Sequence, residues 1–270
     1  MNMITGFIEP TEGEIIVDGY NMAKKPQKAK AEIGYMPEGV PLYTDLTVKE
    51  FVNYMAELKK VNKKERKQKV EKIIEQTGLK DVQNKLTRNL SRGYKQRVSM
   101  AGALVGEPKI LILDEPTVGL DPKQITEIRE LIKELGKTHT VILSSHILSE
   151  VSQICNKVII INKGKLVAID TPENLENKVS QNNSIYVTVE DTENKMETMK
   201  DKIEDIKEIK LIKENEDGTK QYMIEAEGNT DLRKIIFTEF AKENITIFEM
   251  KKTDTTLEDA FMKLIEGGEK

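Results

Sequence analysis

The chain has 270 residues, which is long enough to bury a substantial core and to form one or two domains. Its 42 lysines and arginines are outnumbered by 46 acidic residues, and the net charge of −4 does not suggest a nucleic-acid binder, which normally carries a basic excess. A single cysteine, Cys155, excludes an internal disulfide framework, and no apolar run approaches the roughly 18 residues of a membrane span. With no signal-peptide pattern at the N-terminus, we expect a cytoplasmic protein that reaches a membrane only through a partner.

Short strands and then helices are predicted in the first third of the chain. Turn-flanked apolar runs predict strands in EIIVDGY and in IGYM, residues 33–36. Thr47 and Glu50 have the spacing of a capping box, and an apolar stripe follows them, so a helix is predicted to begin after Thr47. Another helix is predicted to begin after Ser91.

Strands and helices alternate after Pro108. The predicted strands are Ile110–Leu113, Thr140–Ser144, Val158–Ile161 and Leu166–Ile169, and the predicted helices are Pro122–Leu135 and Ile147–Cys155. Alternation of this kind predicts an α/β fold with a mostly parallel sheet that helices cover on both faces. In such sheets, ligands bind outside the carboxyl ends of the strands.

A polar segment, NKVSQNN at residues 177–183, is interpreted as a linker, and the chain after it predicts a small α+β unit. SIYVTVE alternates as a strand does, Asp217–Gly218 indicates a hairpin turn, and a final helix is predicted to begin with a capping box of Thr255 and Glu258. No catalytic constellation occurs in this unit, so we interpret it as an interaction or regulatory domain.

Two adjacent acids, Asp114 and Glu115, end the apolar run ILILDEP at residues 110–116. Such a run predicts a strand buried on both faces, and a carboxylate at its end is a recurrent position for Mg²⁺ beside a nucleotide phosphate. Asp114 would hold the ion through its water shell, and Glu115 could polarise the water that attacks the γ-phosphorus. The alternative is a simple pair of surface acids.

Two further stretches have both a phosphate-binding and a structural interpretation. In LSRGYKQRV, residues 90–98, Ser91 and Gly93 open a helix whose free N–H groups suit a phosphate, although Ser91 could be an N-cap alone. In VILSSHIL, His146 follows a strand and could donate to a γ-phosphate or hold the attacking water, although a lone histidine is usually structural. VGLDP, residues 118–122, forms a tight turn directly after the acids.

In this order and at these spacings, the stretches resemble the nucleotide-binding subunit of an ABC transporter over about residues 1–175. The matching stretches are Leu90–Gly93 with Gln96–Arg97 for the signature motif, Ile110–Glu115 for Walker B, Gly119–Asp121 for the D-loop, His146 for the switch histidine, and IGYMPEG with Glu38 for the Q-loop. The tail that ends in TTLEDAFMKLIEG is similar to the C-terminal extension of the exporters for drugs, lipids or similar cargo.

The resemblance implies a P-loop NTPase-like cassette at residues 1–176, with a helical subdomain at about 40–107, followed by a small α+β accessory domain at 184–270. It implies ATP and Mg²⁺ as cofactors. The implied sites are Asp114 and Glu38 for the metal, Glu115 and His146 for catalysis, and Ser91, Gly93, Gln96, Glu38 and Asp121 for the nucleotide.

The resemblance also implies two protein partners and no nucleic acid. A second ABC ATPase subunit, identical or different, would bind an ATP molecule that Ser91 and Gly93 of this chain also contact. A transmembrane permease would contact the helical subdomain and the loop around Glu38, and would hold the chain on the inner face of the cell membrane.

The sequence departs from the family pattern at three places. Glu38 stands where most relatives have Gln, and Arg92 stands where Gly is usual, followed by Tyr94 where Gln is frequent. The phosphate loop (Walker A), GxxxxGK[ST], does not occur: the nearest stretch is LGKTHT, and Leu131 occupies the place of the first required Gly. Because the loop supplies the main phosphate donors, we expect no tight ATP binding by this chain alone.

Two explanations of the missing loop are open. In relatives the loop immediately precedes text like MNMITGFIEPTEG, so the start could be assigned too late or the gene truncated at Met1, and the complete protein would be an ATPase. Alternatively, the chain is a catalytically silent fragment that lends Ser91 and Gly93 to the ATP of a full-length partner. An ABC ATPase without a membrane partner and a regulatory binding module are the alternative classes of function.

Overall fold

The computed structural model describes residues 1–39, 42–179, 184–190, 195–227, 231–252 and 256–267. The chain divides into two compact units, Met1–Ile147 and Leu148–Lys270. The predicted boundary at residues 177–183 lies later in the chain, and the proposed division into a cassette and an accessory domain stays a prediction. Among the described residues, no helix combines the length and the apolar character needed to cross a lipid bilayer.

The first unit contains the predicted parallel sheet. Its elements are β1 (Ile16–Val17), β2 (Tyr20–Asn21), α1 (Pro26–Ala31), β3 (Ile33–Met36), α2 (Val48–Leu58), α3 (Lys63–Gln76), α4 (Arg92–Leu104), β4 (Ile110–Asp114), α5 (Pro122–Leu135) and β5 (Thr140–Ser144). β1 and β2 form an antiparallel pair, while β3, β4 and β5 pair in parallel in that order. The predicted α/β class is thereby confirmed.

The central strand β4 is buried by its neighbours. Leu111, Ile112 and Leu113 are fully buried, as expected for an aliphatic run in a parallel sheet that is covered on both faces. In the register, Ile112 lies beside Tyr35 of β3, and Asp114 lies beside Ser144 of β5. Parallel pairing therefore brings the carboxyl ends of all three strands to one edge of the sheet.

The helical region packs on this sheet through α4, and α2 and α3 pack on α4. The predicted capping box at α2 is confirmed, because Thr47 Oγ1 accepts from the Glu50 N–H and the Glu50 carboxylate accepts from the Thr47 N–H. Helix α4 lies close against β3: a Cβ added at Gly34 would stand 2.2 Å from the carbonyl oxygen of Ala103. The helix that opens with Ser91 is thus fixed at short range to the strand that ends at Met36.

The second unit contains two sheets. Its elements are α6 (Leu148–Ile154), β6 (Val158–Asn162), β7 (Lys165–Asp170), α7 (Pro172–Val179), β8 (Ser184–Glu190), α8 (Met196–Lys202), β9 (Ile206–Glu214), β10 (Lys220–Ala226), α9 (Arg233–Lys242), β11 (Thr246–Lys252) and α10 (Leu257–Gly267). β6 and β7 form an antiparallel hairpin, and the other four strands form an antiparallel sheet in the order β11-β8-β10-β9. The chain order β-α-β-β-α-β of this sheet is that of the ferredoxin-like arrangement.

The core of the four-stranded sheet joins the strands to α8 and α9. Alternate residues of β8, namely Ile185, Val187 and Val189, share this core with Met199 and Phe240. Helix α10 instead packs against α6, α7 and β7. Its predicted capping box was placed one residue too early: Thr255 lies outside the described residues, and the reciprocal hydrogen bonds form between Thr256 and Asp259.

Candidate nucleotide site

Asp114 ends β4 between two hydroxyl donors from the flanking strands. The Ser144 hydroxyl donates to Asp114 Oδ1 at 2.5 Å, and the Tyr35 hydroxyl donates to Oδ2 at 3.3 Å. Burial, followed by the charge of Asp114 and this hydrogen bond, raises the pKa of the Tyr35 phenol above its ordinary value, so Tyr35 remains a donor at neutral pH. Both carboxylate oxygens are therefore held by neutral groups.

The donor set at Asp114 suits a hard divalent cation. It consists of oxygens only, and Mg²⁺ prefers carboxylate and water oxygens. Among the residues that the structure describes, no group of three or more His, Cys, Asp or Glu side chains could hold a metal ion by itself. Glu38 is exposed in the turn after β3, and its predicted role beside Asp114 stays a prediction.

Glu115 turns sharply away from the strand. Its backbone is left-handed, with φ of +48°, which is uncommon for a residue other than glycine. The Glu115 N–H donates to Ser144 at two atoms, the carbonyl oxygen at 3.3 Å and Oγ at 3.2 Å. These acceptors hold the residue in a conformation that it rarely adopts.

The Glu115 carboxylate contacts the predicted switch histidine. His146 Nδ1 lies 2.9 Å from Glu115 Oε2. A carboxylate only accepts hydrogen bonds, so Nδ1–H is the donor in this contact. The Glu115 side chain is 17% exposed and that of His146 is 68% exposed. The structure thus brings together Asp114, Glu115 and His146.

The turn that opens α4 lies against the loop after the acids. Ser91 is the N-cap of α4, and its Oγ accepts from the Tyr94 N–H at 3.4 Å. A Cβ at Gly93 would stand 2.8 Å from Cδ of Gln124, and a Cβ at Gly119 would stand 2.2 Å from the Arg92 guanidinium carbon. The signature-like turn and the D-loop-like turn of one subunit are therefore neighbours.

Two other predicted nucleotide contacts have structural hydrogen bonds here. Asp121 caps α5, since its Oδ1 accepts from the Gln124 N–H at 2.9 Å. Gln96 is buried, and its Nε2 donates to the carbonyl oxygen of Pro116 at 2.8 Å, which joins α4 to the loop after Glu115. Their roles toward a nucleotide stay predictions.

Replacing Gln96 with leucine should lower the free energy of unfolding by about 1–3 kcal/mol, because the buried carbonyl of Pro116 would lose its donor. Chemical denaturation of the purified chain measures this loss. Lys95→Leu is the control, because Lys95 directly precedes Gln96 in the same helix and is half-buried. Its free energy of unfolding should stay within about 0.5 kcal/mol of the wild-type value. Equal stability of Gln96→Leu and wild type would contradict the structural role of this hydrogen bond.

Sequence reasoning missed Tyr35 and Ser144 as site residues. Both stood in predicted strands, IGYM and TVILS, and both lie near the carboxyl ends of strands that flank the acids. A search for polar side chains at the ends of neighbouring parallel strands would have found them.

The parallel sheet, with paired acids at the end of β4, is the architecture of a P-loop NTPase-like domain. The family model for ABC transporters matches residues 1–118. The bacitracin transport ATP-binding protein BcrA of Bacillus licheniformis is 33% identical over 271 residues, which cover 99% of this chain and 84% of that protein. The chain belongs to the family of ABC transporter ATP-binding proteins.

Two further comparisons agree with this assignment. The linearmycin resistance ATP-binding protein LnrL of Bacillus subtilis (strain 168) is 34% identical over 190 residues, or 70% of this chain and 61% of that protein. Among solved structures, CbiO1 from Clostridium perfringens, part of the ABC transporter complex CbiONQ, has a TM-score of 0.60 and 31% identity, covering 64% of this chain and 72% of that chain. The family therefore makes this chain a subunit that powers an ABC transporter.

Proposed function

We propose that this chain works as the ATP-hydrolysing subunit of an ABC exporter and is held on the inner face of the cell membrane by a transmembrane permease. The observation that carries the proposal is the contact of His146 with Glu115, directly after the Asp114 carboxylate at the end of β4. The names of the relatives, for bacitracin transport and linearmycin resistance, support export of a drug-like cargo.

The roles of the residues follow from their chemistry. Bound ATP with Mg²⁺ supplies the phosphoanhydride bond and neutralises part of the phosphate charge. Asp114 offers the carboxylate that orders the metal's water shell, and Glu115 accepts a proton from the attacking water. His146 holds the Glu115 carboxylate through Nδ1–H. Ser91 and Gly93 face the nucleotide of a second ABC subunit.

A second candidate function is favoured by one observation of the sequence. The 270 residues contain no GxxxxGK[ST], the motif that usually supplies backbone donors for the phosphates. In this case the chain completes the ATP site of a partner subunit through Ser91 and Gly93 and does not hydrolyse ATP in its own site.

The test uses the transporter complex, purified from membranes through a tag on this chain. We expect a membrane-spanning permease in the complex and phosphate release that depends on both ATP and Mg²⁺. A complex without a membrane-spanning protein would instead favour an ABC ATPase outside transport. Equilibrium binding of Mg²⁺-ATP to the isolated chain separates the two candidates: micromolar affinity would contradict the view that the partner must supply the phosphate donors.

A further inference from the structure

Ser144 contacts both acids of the site. Its hydroxyl donates to Asp114 Oδ1, and the same oxygen accepts from the Glu115 N–H at 3.2 Å. A hydroxyl has one proton and two lone pairs, so the direction of both bonds is fixed by the carboxylate, which can only accept. The result is a continuous chain of hydrogen bonds from the Glu115 amide, through Ser144, to the Asp114 carboxylate.

Ser144 and His146 together hold Glu115 through its backbone and through its side chain. Ser144 accepts from the Glu115 backbone, and His146 contacts the Glu115 carboxylate. Because Glu115 has a left-handed backbone that is uncommon outside glycine, its side-chain direction depends on these contacts. A residue that fixes the backbone of Glu115 therefore also sets where its carboxylate lies.

We propose that Ser144 is a positioning residue that sets the geometry between Asp114 and Glu115 for ATP hydrolysis. This inference rests on the proposed function. Ser144 acts through the two acids: its hydroxyl keeps one oxygen of Asp114 in place and holds the strained turn at Glu115. Tyr35 does only the first of these tasks, since it donates to the other oxygen of Asp114. The roles of Ser144 and Tyr35 can therefore be distinguished by replacing each residue separately.

The first experiment measures hydrogen exchange of the Glu115 amide in the purified chain, without nucleotide. Ser144→Ala should speed this exchange about tenfold, because one of two acceptors is lost. Ser144→Thr keeps the hydroxyl and should restore protection, and Tyr35→Phe should leave the Glu115 amide unchanged. Unchanged exchange in Ser144→Ala would overturn the inference.

The second experiment measures phosphate release by the transporter complex. Ser144→Ala should lower kcat about tenfold to a hundredfold with little change in KM for ATP, since positioning of the acids acts on the chemical step. Ser144→Thr should recover most of the rate. Ser145→Ala is the matched control, because its hydroxyl accepts from the Ile147 N–H and contacts neither acid, and it should keep the wild-type rate.

The outcomes separate this inference from the proposed function. A wild-type complex that releases no phosphate would contradict the proposed function, while the amide exchange would still decide whether Ser144 holds Glu115. A wild-type kcat in Ser144→Ala, or an equal loss in Ser145→Ala, would overturn the positioning role. A kcat that Ser144→Thr fails to restore would show that the hydroxyl is not the group that matters.

Discussion

Replacing Glu115 with glutamine should leave ATP binding by the transporter complex near the wild-type level and lower phosphate release by about 10²–10⁴-fold. The amide has the size of the carboxylate, so the turn after β4 and the contact with His146 can form around it. A glutamine side chain cannot take a proton from the attacking water at neutral pH. Binding of a fluorescent ATP analogue and single-turnover phosphate release measure the two properties separately.

The control for this variant is Glu134→Gln. Glu134 is exposed near the end of α5 and pairs with Lys137, so its replacement removes the same charge away from the acids. Its phosphate release should equal that of wild type. If Glu115→Gln released phosphate at an undiminished rate, Glu115 would not be the group that acts on the water.

Replacing Gly34 with alanine should lower the free energy of unfolding of the first unit by about 3 kcal/mol. The new Cβ would stand 2.2 Å from the Ala103 carbonyl oxygen, 2.8 Å from Leu111 Cδ2 and 2.9 Å from Pro108 Cγ. The nearest atom belongs to the backbone of α4, so the helix and β3 must separate. Since α4 opens with Ser91, this separation should also weaken nucleotide-dependent pairing with a second subunit.

Gly136→Ala is the matched control. Gly136 has φ of −62°, and a Cβ there would lie 3.4 Å from its nearest neighbours, so the substitution should be neutral or stabilising by up to about 1 kcal/mol. Denaturation curves of both variants and wild type test the pair. A Gly34→Ala chain that unfolds at the wild-type denaturant concentration would contradict the close packing of α4 on β3.

The parts of the site that depend on local pattern were predictable from the sequence. The strand before Asp114 is a continuous aliphatic run because β4 is buried on both faces, and α5 was predicted at its observed bounds, Pro122–Leu135. The capping box of Thr47 and Glu50 depends on residues three positions apart. These signals are short-range, so a single sequence contains them.

Contacts between distant positions were not predictable in the same way. Ser144 is 30 residues from Asp114, and Tyr35 is 79 residues from it, so their hydrogen bonds require the register of three parallel strands. The bond from Gln96 to Pro116 likewise depends on how α4 packs beside the acids. Neither hydrophobic periodicity nor turn chemistry specifies such a register.

Helix α10 returns to α6 and α7 after the four-stranded sheet has been completed. The chain therefore leaves this helical cluster after α7, builds β8 to β11, and comes back to it, so that both connections of the β-α-β-β-α-β module lead to the same place. A module whose two ends attach at the same place can be exchanged as a unit. Evolution or an engineer could substitute another folded segment between residues 179 and 257 while the helices that receive it remain joined.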